Sequence, residues 1–168
     1  MQRPRLTDGR VILRPWEPRD VHGHIAAIDD PEIARWIDYP IPLREEDALA
    51  FFGWDALHLG VFGPDDATVL GGVGLDPVDR DAGWAEILWW VARDARRTGV
   101  GRAAVQLLVD WAFGGGGLRV VEARIQRPNA ASQAFARALG FALVEGVVRR
   151  EHRGVEVELL RFERRRPE

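Results

Sequence analysis

Trp84-Ala85-Glu86-Ile87-Leu88-Trp89-Trp90-Val91-Ala92, followed by Arg96-Arg97-Thr98-Gly99-Val100-Gly101, is the stretch that decides how this chain folds. Its first part is a short, aromatic and β-branched run and reads as a buried strand from Trp84 to Ala92. The turn that follows contains two glycines and enters a helix from about Gly101 to Phe113. There Val100, Ala104, Leu107, Leu108 and Trp111 recur at the three-four spacing of one helical face. Gly114 to Gly117 stops that helix and allows a sharp reversal. Leu118 to Ile125 then reads as a second strand. Strand, helix and strand in this order predict a right-handed parallel crossover.

On the N-terminal side, Val11 to Trp16 reads as a first strand. Helical material is expected from about Arg19 to Ile28 and from Glu32 to Ile37. Tyr39-Pro40-Ile41-Pro42 is a stiff loop. Arg44 to about Leu57 is expected to be helical, with Leu49, Phe52 and Ala56 on one side. Leu59 to Phe62 and the Gly-rich Val69 to Leu75 read as strands, separated by a turn at Gly63-Pro64-Asp65-Asp66 and closed by one at Asp79-Arg80-Asp81. On the C-terminal side, Asn129 to Leu139 is expected to be helical, with Gly140 as its left-handed stop. Phe141 to Val148 and Val155 to Phe162 alternate like a hairpin around Glu151-His152-Arg153-Gly154. No repeat or linker is visible. The reading is a mixed α/β chain with one domain over residues 1–168.

Composition narrows the chemistry. With 168 residues, 46% of them hydrophobic, the chain can bury a substantial core. No apolar run approaches the roughly 20 residues that span a bilayer, and the first residues lack the apolar stretch of a signal peptide. The net charge of −3 argues against nucleic acid as a partner. There is no cysteine, so disulfides, thiolate metal sites and cysteine catalysis are excluded. All 23 basic residues are arginine. A P-loop, which needs its lysine on the phosphates, and a Schiff-base mechanism are therefore excluded. Cytoplasmic residence is the expectation.

Two segments carry chemistry. At the glycine turn, Gly99 and Gly101 let the backbone approach a ligand and adopt positive φ. The first N–H groups of the following helix lack internal partners and favour an anion. Arg96, Arg97 and Arg102 add forked donors suited to phosphate oxygens. A plain strand-to-helix turn with surface arginines is the structural alternative. A dinucleotide turn fits worse, because the third glycine of that pattern would fall at Ala104. The second segment is Asn129-Ala130-Ala131-Ser132, which holds the only asparagine and the only serine of the chain. Asn129 is placed to cap its helix by accepting from the N–H of Ala131 or Ser132. No Gly-x-Ser-x-Gly surrounds Ser132, which argues against a hydrolase nucleophile.

Together these segments resemble the GNAT superfamily of acyl-CoA-dependent N-acyltransferases. The family's pyrophosphate pattern, Arg/Gln-x-x-Gly-x-Gly/Ala, is matched by Arg96-Arg97-Thr98-Gly99-Val100-Gly101. Its later Asn-x-x-Ser and Leu-Gly-Phe are matched by Asn129, Ser132, Phe135 and Leu139-Gly140-Phe141. Leu13-Arg14-Pro15 and Glu86-Ile87 resemble the branch containing the ribosomal-protein N-terminal alanine acetyltransferases. The resemblance implies a single domain with a central, mostly antiparallel sheet, one parallel splayed strand pair and helices on both faces. It implies acetyl-CoA as acyl donor and no metal. The pyrophosphate would lie on the amides from Arg97 to Gly101, with Arg96 and Arg102 beside it. Pantetheine would run along the strand ending at Val91. Asn129 would contact the pantetheine or a bound water, and Phe135 would pack near the cofactor. A homodimer is the family-level expectation.

One position departs from the pattern: many relatives carry a tyrosine, thought to protonate the departing thiolate, where this chain has Ala136. Ser132 is the remaining donor for that proton. An amine attacks a thioester only when neutral, so a general base helps. Glu86 is the only acid inside the 84–92 strand, and apolar neighbours are expected to raise its pKa. The alternative is a charge on a solvated strand face. Trp36, Tyr39, Pro40 and Pro42 are expected to wall the acceptor, a protein N-terminus or a small-molecule primary amine. Without cysteine, transfer should be direct, in a ternary complex. The competing reading is a non-catalytic acyl-CoA-binding module.

Overall fold

The computed structural model describes residues 3–168. Its strands are β1 (Leu6–Thr7), β2 (Ile12–Pro15), β3 (Leu57–Phe62), β4 (Val69–Asp79), β5 (Trp84–Val91), β6 (Val120–Gln126), β7 (Ala142–His152) and β8 (Val155–Arg165). Its helices are α1 (Val21–Ile28), α2 (Pro31–Trp36), α3 (Glu45–Phe52), α4 (Val100–Phe113) and α5 (Ala130–Ala138). The strands form an eight-stranded sheet in the order β1-β2-β3-β4-β5-β6-β8-β7. Pairing is antiparallel at β1/β2, β2/β3, β3/β4, β6/β8 and β7/β8. β5 and β6 are the parallel pair, in register from Trp84 opposite Val120 to Ile87 opposite Ala123. That ladder stops at Ile87 although β5 runs on to Val91 and β6 to Gln126. The mostly antiparallel sheet with one splayed parallel pair is the architecture that the family resemblance implies.

The chain divides into two compact units: residues up to Leu75 with Trp89–Leu108, and Asp76–Leu88 with Val109–Glu168. The core of the first unit is aromatic. Trp16 stacks on Phe52 at 5.1 Å and parallel to Trp90 at 6.5 Å, with Phe62 edge-on. Burying each such ring stabilises the fold by roughly 1.5–3 kcal/mol. Trp90 reaches this position because β4 is glycine-rich. A Cβ at Gly71 would collide with the Trp90 carbonyl oxygen, and one at Gly72 with its indole nitrogen. Beneath the first strands, buried Arg14 is bound by Asp20 at 2.7 and 2.9 Å and by Asp66 at 2.8 Å. In the second unit, Val121, Ala123 and Ile125 of β6 and Leu159 and Phe162 of β8 are buried, as are Ala136, Leu139 and Phe141 around the end of α5.

Three expectations are corrected. The helix expected to reach Leu57 ends at Phe52, and Leu57 opens β3, whose six residues are all buried. Two-sided burial explains the continuous apolar run there. On α4 the buried stripe is Ala104, Val105, Leu108, Val109 and Ala112, whereas Val100, Leu107 and Trp111 are half-buried. The terminal hairpin is longer than the alternation suggests, so the turn is Arg153-Gly154 alone, both at positive φ. Arg164 and Arg165 belong to β8, opposite Val121 and Val120.

Candidate active site

The glycine turn lies in the first unit. A short 3-10 turn, Arg93–Ala95, precedes it, and the Thr98 hydroxyl donates to the Ala95 carbonyl at 2.6 Å. Gly99 has φ +89°, and a Cβ there would come no nearer to any neighbour than 3.9 Å, from Arg10 Nη1. Backbone conformation rather than space therefore calls for glycine at this position. Gly101 is ordinary helix, and the second positive φ falls instead on Arg97, at +62°. The Ala103 N–H donates to the Gly99 carbonyl at 3.0 Å. The N–H groups of Val100 and Gly101 therefore begin the helix without intrahelical acceptors. Arg97, Thr98, Gly99 and Arg102 are exposed or half-buried at the surface, and Val91 and Val100 are half-buried.

Arg96 has a different position from the one expected. Its Nη2 donates to Asp30 at 2.6 Å and its Nε to the Val91 carbonyl at 3.2 Å. Arg93 also reaches Asp30, at 3.4 Å. Asp30 in turn caps α2 by accepting from the Glu32 N–H at 2.9 Å. Burial pushes the Asp30 carboxyl up, but these hydrogen bonds and charges hold it below the usual carboxylate range. Arg96 thus braces the turn and the end of β5. The aspartate-proline start of α2 was the sequence signal for such a cap.

In the second unit, Glu86 is 6% exposed on β5. Its surroundings are not the apolar ones expected. Arg150 of β7 holds it through two bonds, Nη1 to Oε1 at 3.1 Å and Nη2 to Oε2 at 2.9 Å. Arg124 of β6 adds Nη1 to Oε2 at 3.2 Å. Arg124 and Arg150 are the polar partners that sequence reasoning missed. Their only signal was period-2 alternation, which puts Arg124 on one strand face with Glu122.

α5 begins as expected. Asn129 is buried, and its Oδ1 accepts from the Ser132 N–H at 3.1 Å. Ser132 and Phe135 are half-buried in the first turns, and Ala136 is fully buried. In the first unit, the Tyr39 hydroxyl donates to the Ile28 carbonyl at the end of α1 at 2.8 Å, and Trp36 Nε1 donates to Glu32 one turn back on α2 itself at 2.9 Å. Among the described residues, no group of three or more His, Asp or Glu side chains could hold a metal ion, and no helix is long and apolar enough to cross a membrane.

A family model of the acetyltransferase (GNAT) domain matches residues 10–142, most of the chain. The chain belongs to the GNAT acetyltransferase family, whose members use acetyl-CoA, and it is an N-acetyltransferase by that membership. Solved structures agree on the fold. A candidate ribosomal-protein-serine acetyltransferase from Vibrio cholerae superposes with a TM-score of 0.85 at 20% identity, covering 97% of this chain and 98% of that one. RimL, a ribosomal L7/L12 alpha-N-protein acetyltransferase, gives 0.82 at 17% identity over 93% and 90%. The microcin C7 self-immunity acetyltransferase MccE, solved with acetyl-CoA and AMP, gives 0.80 at 18% over 95% and 93%. No curated protein sequence matches.

Proposed function

We propose that this protein transfers an acetyl group from acetyl-CoA directly to a primary amine, with Glu86 as the acceptor-side carboxylate. The observation that carries this reading is a buried glutamate on β5 one residue before the parallel ladder ends. The end of the ladder at Ile87 supports a pseudo-strand place for pantetheine along β5. The turn from Arg97 to Gly101 supplies converging N–H donors for the diphosphate, with Arg102 beside it. Arg96 acts there by bracing, through Asp30 and Val91.

In the reaction the amine nitrogen bonds to the thioester carbon, the C–S bond breaks, and coenzyme A leaves as thiolate. Glu86 takes the proton that the amine sheds, directly or through water, an effect typically worth about 10²–10⁴-fold. The Ser132 hydroxyl is the donor that returns a proton to sulfur. With its Oδ1 committed to capping, Asn129 has its Nδ2 to offer the pantetheine or a bound water. A backbone N–H near Val91 would polarise the thioester oxygen.

The neighbours named above concern a ribosomal-protein N-terminus in one case and microcin self-immunity in another, so both peptide and small amines need testing. The test is free-thiol release from acetyl-CoA with peptides beginning in alanine or serine and with small primary amines. Release matched by N-acetyl product on at least one acceptor is expected. Binding of acetyl-CoA by calorimetry without turnover on any acceptor would make the domain a coenzyme-binding module instead.

A further inference from the structure

If Glu86 serves the acceptor amine, as proposed above, an amine must be able to reach it. Both carboxylate oxygens already carry guanidinium donors, at 3.1 and 2.9 Å from Arg150 and 3.2 Å from Arg124. Three of the carboxylate's roughly four lone-pair sites are therefore taken, and with Glu86 only 6% exposed, a substrate ammonium gains room and further acceptor sites where one of the guanidiniums leaves.

The two arginines are held very differently. Arg124 has a side chain only 20% exposed. Its Nε donates to Glu122 at 2.6 Å, and its guanidinium lies 5.0 Å over the Trp84 ring. With Glu86 itself, it is fixed by three neighbours. Arg150 projects from β7 close to the hairpin turn, and its side chain is 49% exposed. Glu86 is its only ion-pair or hydrogen-bond partner among the described residues. Once released, its guanidinium is hydrated at once and regains the rotamer freedom that the pair had taken away.

We propose that Arg150 is a displaceable occupant of the amine subsite. It neutralises Glu86 while no acceptor is bound. The acceptor's ammonium then donates to Oε1 in its place, and Arg150 swings into solvent. Glu86 keeps two cationic partners throughout, so a buried carboxylate is never left uncompensated. The geometry selects a primary ammonium, which has N–H donors on a small head, over a quaternary one, which has none. Arg150 is on this account a positioning and specificity residue that competes with the acceptor and leaves acetyl-CoA untouched.

The test needs no turnover. Ethylammonium chloride, the probe for a primary ammonium, is titrated into ¹³C-glutamate-labelled protein and followed at the Glu86 carboxyl carbon. Wild type is compared with Arg150→Ala and Arg150→Gln, and tetramethylammonium chloride serves as the ionic-strength control. The ethylammonium midpoint should fall about five-fold in both variants, the size of a half-exposed ion pair. Tetramethylammonium should move neither. Guanidinium ion should refill the vacated place in Arg150→Ala and raise the ethylammonium midpoint again, by a larger factor than in wild type, where Arg150 already holds that place. Equal midpoints in wild type and variants, or an equal response to tetramethylammonium, would overturn the proposal. Should Arg150→Ala fail to fold, Arg150→Gln carries the comparison. The parent reading fails separately: if Glu86→Gln keeps full acetyl transfer, Glu86 is not the base, whatever the midpoints show.

Discussion

Glu86 and Glu122 face each other across the parallel ladder, on the same strand face, both buried, yet their surroundings are opposite in kind. Glu122 is completely enclosed. Arg124 holds one of its oxygens at 2.6 Å, and Arg161 holds the other at 2.6 and 3.1 Å. Arg161 is itself backed by Glu163 at 3.1 Å, which also binds Arg165 at 2.6 Å. Burial pushes the Glu122 carboxyl up, but the hydrogen bonds of Arg161 and Arg124 outweigh it and hold the group below its ordinary range. Glu86 shares Arg124 with that network, but its other partner hangs from a hairpin edge and faces water. The closed network is held by partners that are themselves paired; the open one includes the arginine that we propose an acceptor displaces. Residue type and burial are thus the same for the two carboxylates, and what differs is how their counter-ions are held.

The contrast is most severely tested at Glu122. Glu122→Gln strips two guanidiniums of their buried anion and should cost about 3 kcal/mol, or roughly 10 °C in Tm, read by thermal unfolding. A loss under about 1 kcal/mol, the size of an exposed pair, would mean that the network is not structural. A second test uses a buried titratable group whose burial outweighs the pull of its one anionic neighbour. His24 is packed among Trp16, Phe51, Phe52 and Trp90, and its Nδ1 has no partner. Burial pulls its imidazole down to about 4, against a weaker opposing pull from Asp20. The unfolded chain, with a histidine near its ordinary value of about 6.5, binds the proton first. Stability contributed by neutral His24 is therefore present above about pH 6.5 and lost as pH falls towards 4, by about 3 kcal/mol at most. Denaturant titrations should show that slope in wild type and lose it in His24→Phe, while Glu122 loses its own contribution only in the carboxylate range below.

Smaller differences sharpen the comparison further. Arg161→Ala should cost about 2 kcal/mol, because a fully buried carboxylate loses charged hydrogen bonds. Arg150→Ala should cost about 1 kcal/mol or less. Equal losses would erase the distinction between the closed and open pairs. Asn129→Ala removes the cap of α5 and should cost about 1 kcal/mol by urea unfolding.

Much of this was legible in the sequence. The apolar run of β5, the glycine turn and the four-glycine stop pointed to the parallel crossover, because local composition and period leave few alternatives there. The Asn129 cap was readable for the same reason: its partner lies three residues away. What was not readable depends on distant pairs. Arg150 lies 64 residues from Glu86, and Asp30 66 residues from Arg96. Arg150 lies on β7, which is not a sheet neighbour of β5, and hydrophobic periodicity carries no record of their approach. The end of α3 was misjudged because Leu57 continues a helical apolar spacing while its burial is that of a strand.

The most direct test of the central claim is the turnover of Glu86→Gln beside its stability and its affinity for acetyl-CoA. If Glu86 is the base, kcat for amine acetylation falls about 100-fold or more, with Tm and the calorimetric Kd for acetyl-CoA close to wild type. Unchanged kcat across a pH series, with wild type and variant both folded and binding acetyl-CoA, would contradict it.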